Sequence, residues 1–292
     1  MKCALLLVFL GVSQASADLI TEVRSAIAAN DFSRAAASVQ DYRTTKGITA
    51  ELATAMSWVA RGALGRKDYD RAEALARETY QLSADLLERR TLDAEPVLPI
   101  GLGAAIEVQA QVLAARGQTT EAVTYLTGQL AKYRTTSISM RIQKNIHLLS
   151  LEGKPAPALH GITLPKGKPA LLFFWAHWCG DCRAEVPILA RLKAEFGPKG
   201  LVLIGPTQKY GYVARGADAP PDVELRYIET VRKEYYGDIV GVPAVVSEEN
   251  FRNYGVSTTP TLLLVDREGI VRMYHPGRMT YDELRTRIQE LL

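Results

Sequence analysis

The stretch that most constrains this chain is an apolar run at residues 170–175 followed closely by Cys179 and Cys182, at what the pattern predicts to be the first turn of a helix. Two cysteines at that spacing can close into a small disulfide ring or open to a dithiol. The helix, predicted over 179–196, carries Val186, Leu189 and Leu192 along one face. A buried strand, a cysteine pair and a helix in that order make a redox site the first hypothesis for the whole chain.

The N-terminus places the pair in a compartment. Lys2, an apolar run at 3–12 and small residues at Ala15 and Ala17 read as a secretory signal peptide cut before Asp18. The run is far short of the roughly 20 residues that span a bilayer. No later segment reads as apolar enough to span, so the mature chain is expected to be exported, periplasmic or equivalent, and soluble. Cys3 would leave with the signal, so Cys179 and Cys182 would remain alone. A structural staple usually closes a longer loop, where stabilisation is greater, whereas a close pair in an oxidising compartment suits redox exchange.

Charge excludes other classes. The 292 residues include 35 basic and 32 acidic side chains, a net +3, too even a balance to indicate nucleic-acid or membrane-surface binding.

Residues 18–150 read as all helical. Leu19, Val23 and Ile27 fall at helical spacing, as do Leu52, Met56, Val59 and Ala63, and Ile138, Ile142, Ile146 and Leu149. A weak repeat runs through them: Asn30-Asp31-Phe32-Ser33-Arg34-Ala35 matches Lys67-Asp68-Tyr69-Asp70-Arg71-Ala72 and, more faintly, Gly117-Gln118-Thr119-Thr120-Glu121-Ala122. Each ends in an alanine that opens a second helix. The pattern resembles degenerate tetratricopeptide-like hairpins, although the alanines are not uniformly spaced. Such arrays present surfaces to protein partners, and packing as a plain bundle is the alternative.

Gly153, Pro155 and Pro157 then break the helical pattern, which sets the boundaries at 1–17, 18–150 and 151–292. Residues 161–169 read as a short strand and turn. Strand and helix patterns alternate beyond it: strands at 170–175, 201–205, 261–265 and 270–274, helices at 179–196, 222–236 and 281–292, and an extended piece at 242–246. The sum is an α/β domain.

The motifs here resemble the TlpA-type branch of exported thioredoxin-like proteins. They are Gly153-Lys154-Pro155-Ala156-Pro157, Gly167-Lys168-Pro169, Phe174-Trp175-Ala176-His177-Trp178-Cys179-Gly180-Asp181-Cys182, Glu185 with Pro187, and Tyr254-Gly255-Val256-Ser257-Thr258-Thr259-Pro260-Thr261. The resemblance covers about 151–292. It implies a thioredoxin fold, protein disulfides as substrates, a membrane thiol donor as electron source and no cofactor.

Site roles follow from both sources. A helix N-terminus stabilises a thiolate, so Cys179 is the expected nucleophile and Cys182, deeper in the helix, the resolving thiol. The resemblance makes Pro260 a cis proline, gives Thr259 a backbone contact to substrate and assigns Glu185 proton movement; Glu185 shares a helix face with Cys182. Trp178 is expected to wall the substrate site. Phe173 stands where ordinary thioredoxin carries a buried acid. Asp181 beside the pair should disfavour the thiolate and make the couple more reducing. His177 with two cysteines lacks a fourth zinc ligand, and Arg183 after Cys182 excludes haem attachment. Pro243 reads as a strand-edge proline. Six of the thirteen tyrosines fall between Tyr210 and Tyr254, to which no site is assigned.

The reading is therefore an exported thiol:disulfide oxidoreductase acting mainly as a reductase. Two alternatives remain open: an oxidase or isomerase, and an assembly module with secondary redox activity.

Overall fold

The computed structural model describes residues 18–237, 239–240 and 244–292; the signal-peptide reading and Pro243 lie outside them. Three helical hairpins come first, formed by α1 (Leu19–Ala28) with α2 (Phe32–Lys46), α3 (Ala50–Gly65) with α4 (Tyr69–Leu87), and α5 (Leu98–Ala115) with α6 (Thr119–Lys132). Each turns on one left-handed residue: Asn30 at φ 60°, Lys67 at 62° and Gly117 at 81°. The next N–H bonds back into the finished helix, from Asp31 to the Ala26 carbonyl (2.8 Å), Asp68 to Ala63 (3.0 Å) and Gln118 to Leu113 (2.9 Å). This closure satisfies carbonyls that a helix end otherwise leaves open. Asp31 and Asp68 then cap the following helix by accepting from the Arg34 and Arg71 N–H groups, which Gln118 does not do. Ala35, Ala72 and Ala122 are fully buried. The three sequence echoes are three copies of one turn.

The chain divides into two compact units between Ala105 and Ile106, inside α5, while the change from helices to α/β structure follows α7 (Ser139–Ser150). The first unit packs Leu19, Val23, Leu52, Met56 and Val59 between α1, α2 and α3. One expectation is corrected here: α5 is long and apolar enough to span a membrane by length and composition, with mean hydropathy 1.4. Its apolar character comes from a helix buried over 56% of its length in the protein. A Cβ at its Gly101 would come within 3.1 Å of Thr54 backbone, a close approach that glycine permits.

The second unit holds the α/β fold. Its strands are β1 (Ala170–Phe174), β2 (Val202–Ile204), β3 (Pro206–Thr207), β4 (Val245–Val246), β5 (Thr261–Val265) and β6 (Val271–Pro276). The main sheet runs β2-β1-β5-β6, and β3 pairs with β4 separately. Strand β1 is parallel to β2, across the crossover helix α8 (Gly180–Phe196), and antiparallel to β5, which is antiparallel to β6. Every residue of β1 is buried because both sheet faces are covered. Leu171 and Phe173 face a core with Leu189, Leu192 and Phe196 of α8; Leu172 and Phe174 face Phe251, Tyr254 and Tyr274. Each such side chain contributes about 1.5–3 kcal/mol by leaving water. This sheet and its covering helices form the thioredoxin fold.

Two local expectations change. No strand forms at 161–169: Gly161 (φ 79°) and Gly167 (φ 70°) keep it turning, while Ile162 and Leu164 pack on the second core. The bridge falls earlier, at Pro155 opposite Ile270. The helix expected at 222–236 is α9 (Pro221–Val231) followed by a π-turn at Arg232–Tyr236, and a short α10 (Glu248–Asn253) precedes β5. The chain ends in α11 (Tyr281–Gln289).

Helix α7 docks on this fold. His147 Nε2 lies 3.1 Å from the Asn253 carbonyl, and its ring is 5.9 Å from that of Tyr274.

Candidate active site

The end of β1 is pinned before it reaches the cysteines. Trp175 is fully buried, its indole N–H donates to the Gly205 carbonyl (2.9 Å), and its carbonyl accepts from the Thr207 hydroxyl (2.8 Å). The chain then turns into α8 with Cys179 as its N-cap, and Cys179 Sγ accepts from the Cys182 N–H at 3.0 Å. A sulfur there faces the free N–H groups and positive end of the helix dipole, which favour a thiolate. The two cysteines are disulfide-linked, with Cα atoms 5.2 Å apart. Cys179 is 3% exposed and Cys182 fully buried, whereas Trp178 beside them is 49% exposed.

The register carries Pro260 to the same edge. Phe174 pairs with Thr261, so the loop after β1 and the loop before β5 leave one end of the sheet together. The Thr259–Pro260 peptide is cis. The Pro260 carbonyl accepts from the Gly277 N–H (2.8 Å), and the buried Thr259 hydroxyl has no partner among the described residues.

Glu185, one turn beyond Cys182, is fully buried; its carboxylate lies 3.3 Å from both Arg278 Nε and the Met279 N–H. Burial raises its pKa above the usual carboxylate range, against the opposing pull of these two donors. Phe173, at the position of the missing acid, packs 6.1 Å from the Tyr236 ring. Asp181 is exposed at the helix start.

Residues 158–209 match the AhpC/TSA family. Over 157 residues the chain is 30% identical to the thiol:disulfide interchange protein DsbE of Xylella fastidiosa (strain Temecula1), covering 49% of this chain and 70% of that protein. The chain belongs to the thioredoxin-like thiol:disulfide oxidoreductases. This oxidoreductase is also 26% identical over 166 residues to the thiol-disulfide oxidoreductase ResA of Bacillus thuringiensis subsp. konkukian, covering 54% of this chain and 83% of that one. The exposed lipoprotein thioredoxin Etrx1 of Streptococcus pneumoniae strain TIGR4 shares 28% identity over 43% of this chain and 87% of its own, with a TM-score of 0.34.

Part of the oxidoreductase's site was not read from sequence. The buried His177 ring places Nε2 3.2 Å from Glu224 Oε1, and Glu224 also accepts from the backbone N–H groups of Tyr210 (2.5 Å) and Gly211 (2.9 Å). Tyr210, Tyr212 and Tyr227 meet the imidazole edge-on with centroids 5.3–5.5 Å away. Burial lowers the His177 pKa, with Glu224 opposing, so its neutral form is favoured. Arg183 ties this cluster to the redox helix: it donates to the His177 carbonyl (3.0 Å) and lies 4.1 Å over the Tyr235 ring. The tyrosine cluster was the available signal, since these rings are packed beneath the active-site loop.

Proposed function

We propose that this oxidoreductase is an exported, TlpA-type reductase of protein disulfides. Cys179 thiolate attacks one sulfur of a substrate disulfide; the substrate S–S bond breaks and the departing thiolate takes up a proton. Cys182 then attacks Cys179 Sγ in the mixed disulfide, releasing the second substrate thiol. Two electrons and two protons have passed to the substrate, and the Cys179–Cys182 disulfide remains. The observation that carries this order is the position of Cys179 as N-cap, with its sulfur on a helix N–H, ahead of the fully buried Cys182.

Other residues support the cycle. Thr259 offers backbone beside the cis proline to an extended substrate strand, and Trp178 shields one side. Glu185, whose pKa burial raises, accepts the Cys182 proton. A membrane thiol donor returns two electrons to the pair, and the hairpin array gives a protein partner a surface.

The test is turnover of insulin-type interchain disulfides by the full mature chain with a thiol reductant. Reduction lost in Cys179→Ser supports the reading; equal rates for both proteins would overturn it.

A further inference from the structure

We propose that a cavity of about 440 Å³ beside Trp178 is a specificity subsite for an uncharged aromatic or branched aliphatic side chain next to the substrate cysteine. This rests on the disulfide-exchange reading of Cys179. The cavity is walled on the redox side by Trp178 and Thr259, which adjoin Cys179 and Pro260 in the chain. Tyr210 and Phe251 line it within a run of edge-on aromatic contacts, Trp178 to Tyr210 at 5.5 Å and Tyr210 to Phe251 at 6.5 Å. Ser137, just before α7, and Met140, in its first turn, also line it. They lie outside residues 151–292, so the helical segment contributes directly to the site.

The chemistry of the lining selects the occupant. Its volume lies within the roughly 300–1,000 Å³ of ordinary ligand pockets. None of its described lining residues is charged, so a charged group entering it would lose water and meet only the neutral polar groups of Ser137, Gln208, Ser257, Thr258 and Thr259, with no opposite charge. A neutral apolar side chain would instead bury its surface against Trp178, Tyr210, Phe251 and Met140. Trp178 both lines the cavity and precedes Cys179 in the chain, so continuity with the exchange site commits the cavity to the segment flanking the substrate cysteine.

The test uses two disulfide peptides identical except for Phe or Gly after the attacked cysteine. The full chain should reduce the Phe peptide with kcat/KM about tenfold or more above the Gly peptide, the discrimination one apolar group earns in a pocket. Ser137→Trp, which fills the cavity from an exposed rim position, should bring that ratio close to one. Met140→Gln, which makes that part of the lining polar, should lower the ratio too and serves if the first variant unfolds. Calorimetric Kd values for Cys-to-Ser forms of both peptides read the cavity without turnover. Tighter Phe-peptide binding with no reduction of either peptide would defeat the exchange reading and leave the subsite standing. Equal Kd and equal kcat/KM, or a preference untouched by both variants, would overturn the subsite.

Discussion

His177 Nε2 and Glu224 Oε1 lie 3.2 Å apart, and each side chain is only 1% exposed. The carboxylate also accepts from the Tyr210 and Gly211 N–H groups, so one acceptor fixes both the active-site loop and the insert over it. Glu224→Ala strands these donors. A buried polar group left unpaired costs about 1–3 kcal/mol, so urea unfolding should show a loss above about 2 kcal/mol. Glu224→Gln, which keeps one acceptor oxygen, should lose less.

The same imidazole makes stability depend on pH. Its folded pKa is below its unfolded value of about 6.5, so the unfolded chain binds more protons below that pH. Its contribution is full above about 6.5 and is lost as pH falls through the depressed folded value. Urea melts from pH 7.5 to 5 should show that decline, and His177→Gln should be flatter than the parent.

Glu185 has the opposite sign. Its folded pKa is raised by burial, so the folded chain holds a proton that the unfolded chain gives up. Its contribution is full below about 4.3 and falls as pH rises through the raised value. Glu185→Gln should therefore gain stability relative to the parent between pH 4 and 7. Stopped-flow resolution of the mixed disulfide should slow about a hundredfold or more in the same variant, within the range of general acid–base catalysis.

Gly255 tests whether α7 must dock closely. It adopts φ 59°, and a Cβ there would lie 2.8 Å from the Lys144 N and 2.9 Å from the Gln143 carbonyl carbon. A left-handed L-residue alone costs about 1–2 kcal/mol, and the contact is with helix backbone that cannot rotate away. Gly255→Ala should lower stability by more than about 2 kcal/mol by denaturant melt.

Asp181 bears on direction. A carboxylate near the pair disfavours the thiolate and hence the reduced state, although its exposure weakens the effect. Asp181→Pro should raise the potential measured against glutathione, away from the roughly −270 mV of a thioredoxin-like reductant and toward the roughly −120 mV of a strong oxidant. An unchanged or lower value would remove Asp181 from the account.

What could be read in the sequence was local. The cysteine pair, β1, the crossover helix and the hairpin turns each depend on residues within a few positions of one another. Asn30, Lys67 and Gly117 could be aligned because turn chemistry repeats, and Pro260 because it opens an apolar strand. Contacts made by folding could not be read this way. Glu224 meets His177 across 47 residues, and Ser137 reaches the redox loop only through the docking of α7. At 161–169 the strand pattern was outweighed by two left-handed glycines, and the apolar character of α5 reflects burial inside the protein.

The central claim is that Cys179 attacks and Cys182 resolves. Cys182→Ala expressed in the compartment where the chain resides, with thiols blocked at lysis, should accumulate mixed disulfides that map to Cys179 and dissolve on reduction. Cys179→Ala should trap none, and mass spectrometry of the adducts names the substrates. Adducts on Cys182 in the Cys179→Ala variant, or none in either, would contradict the account.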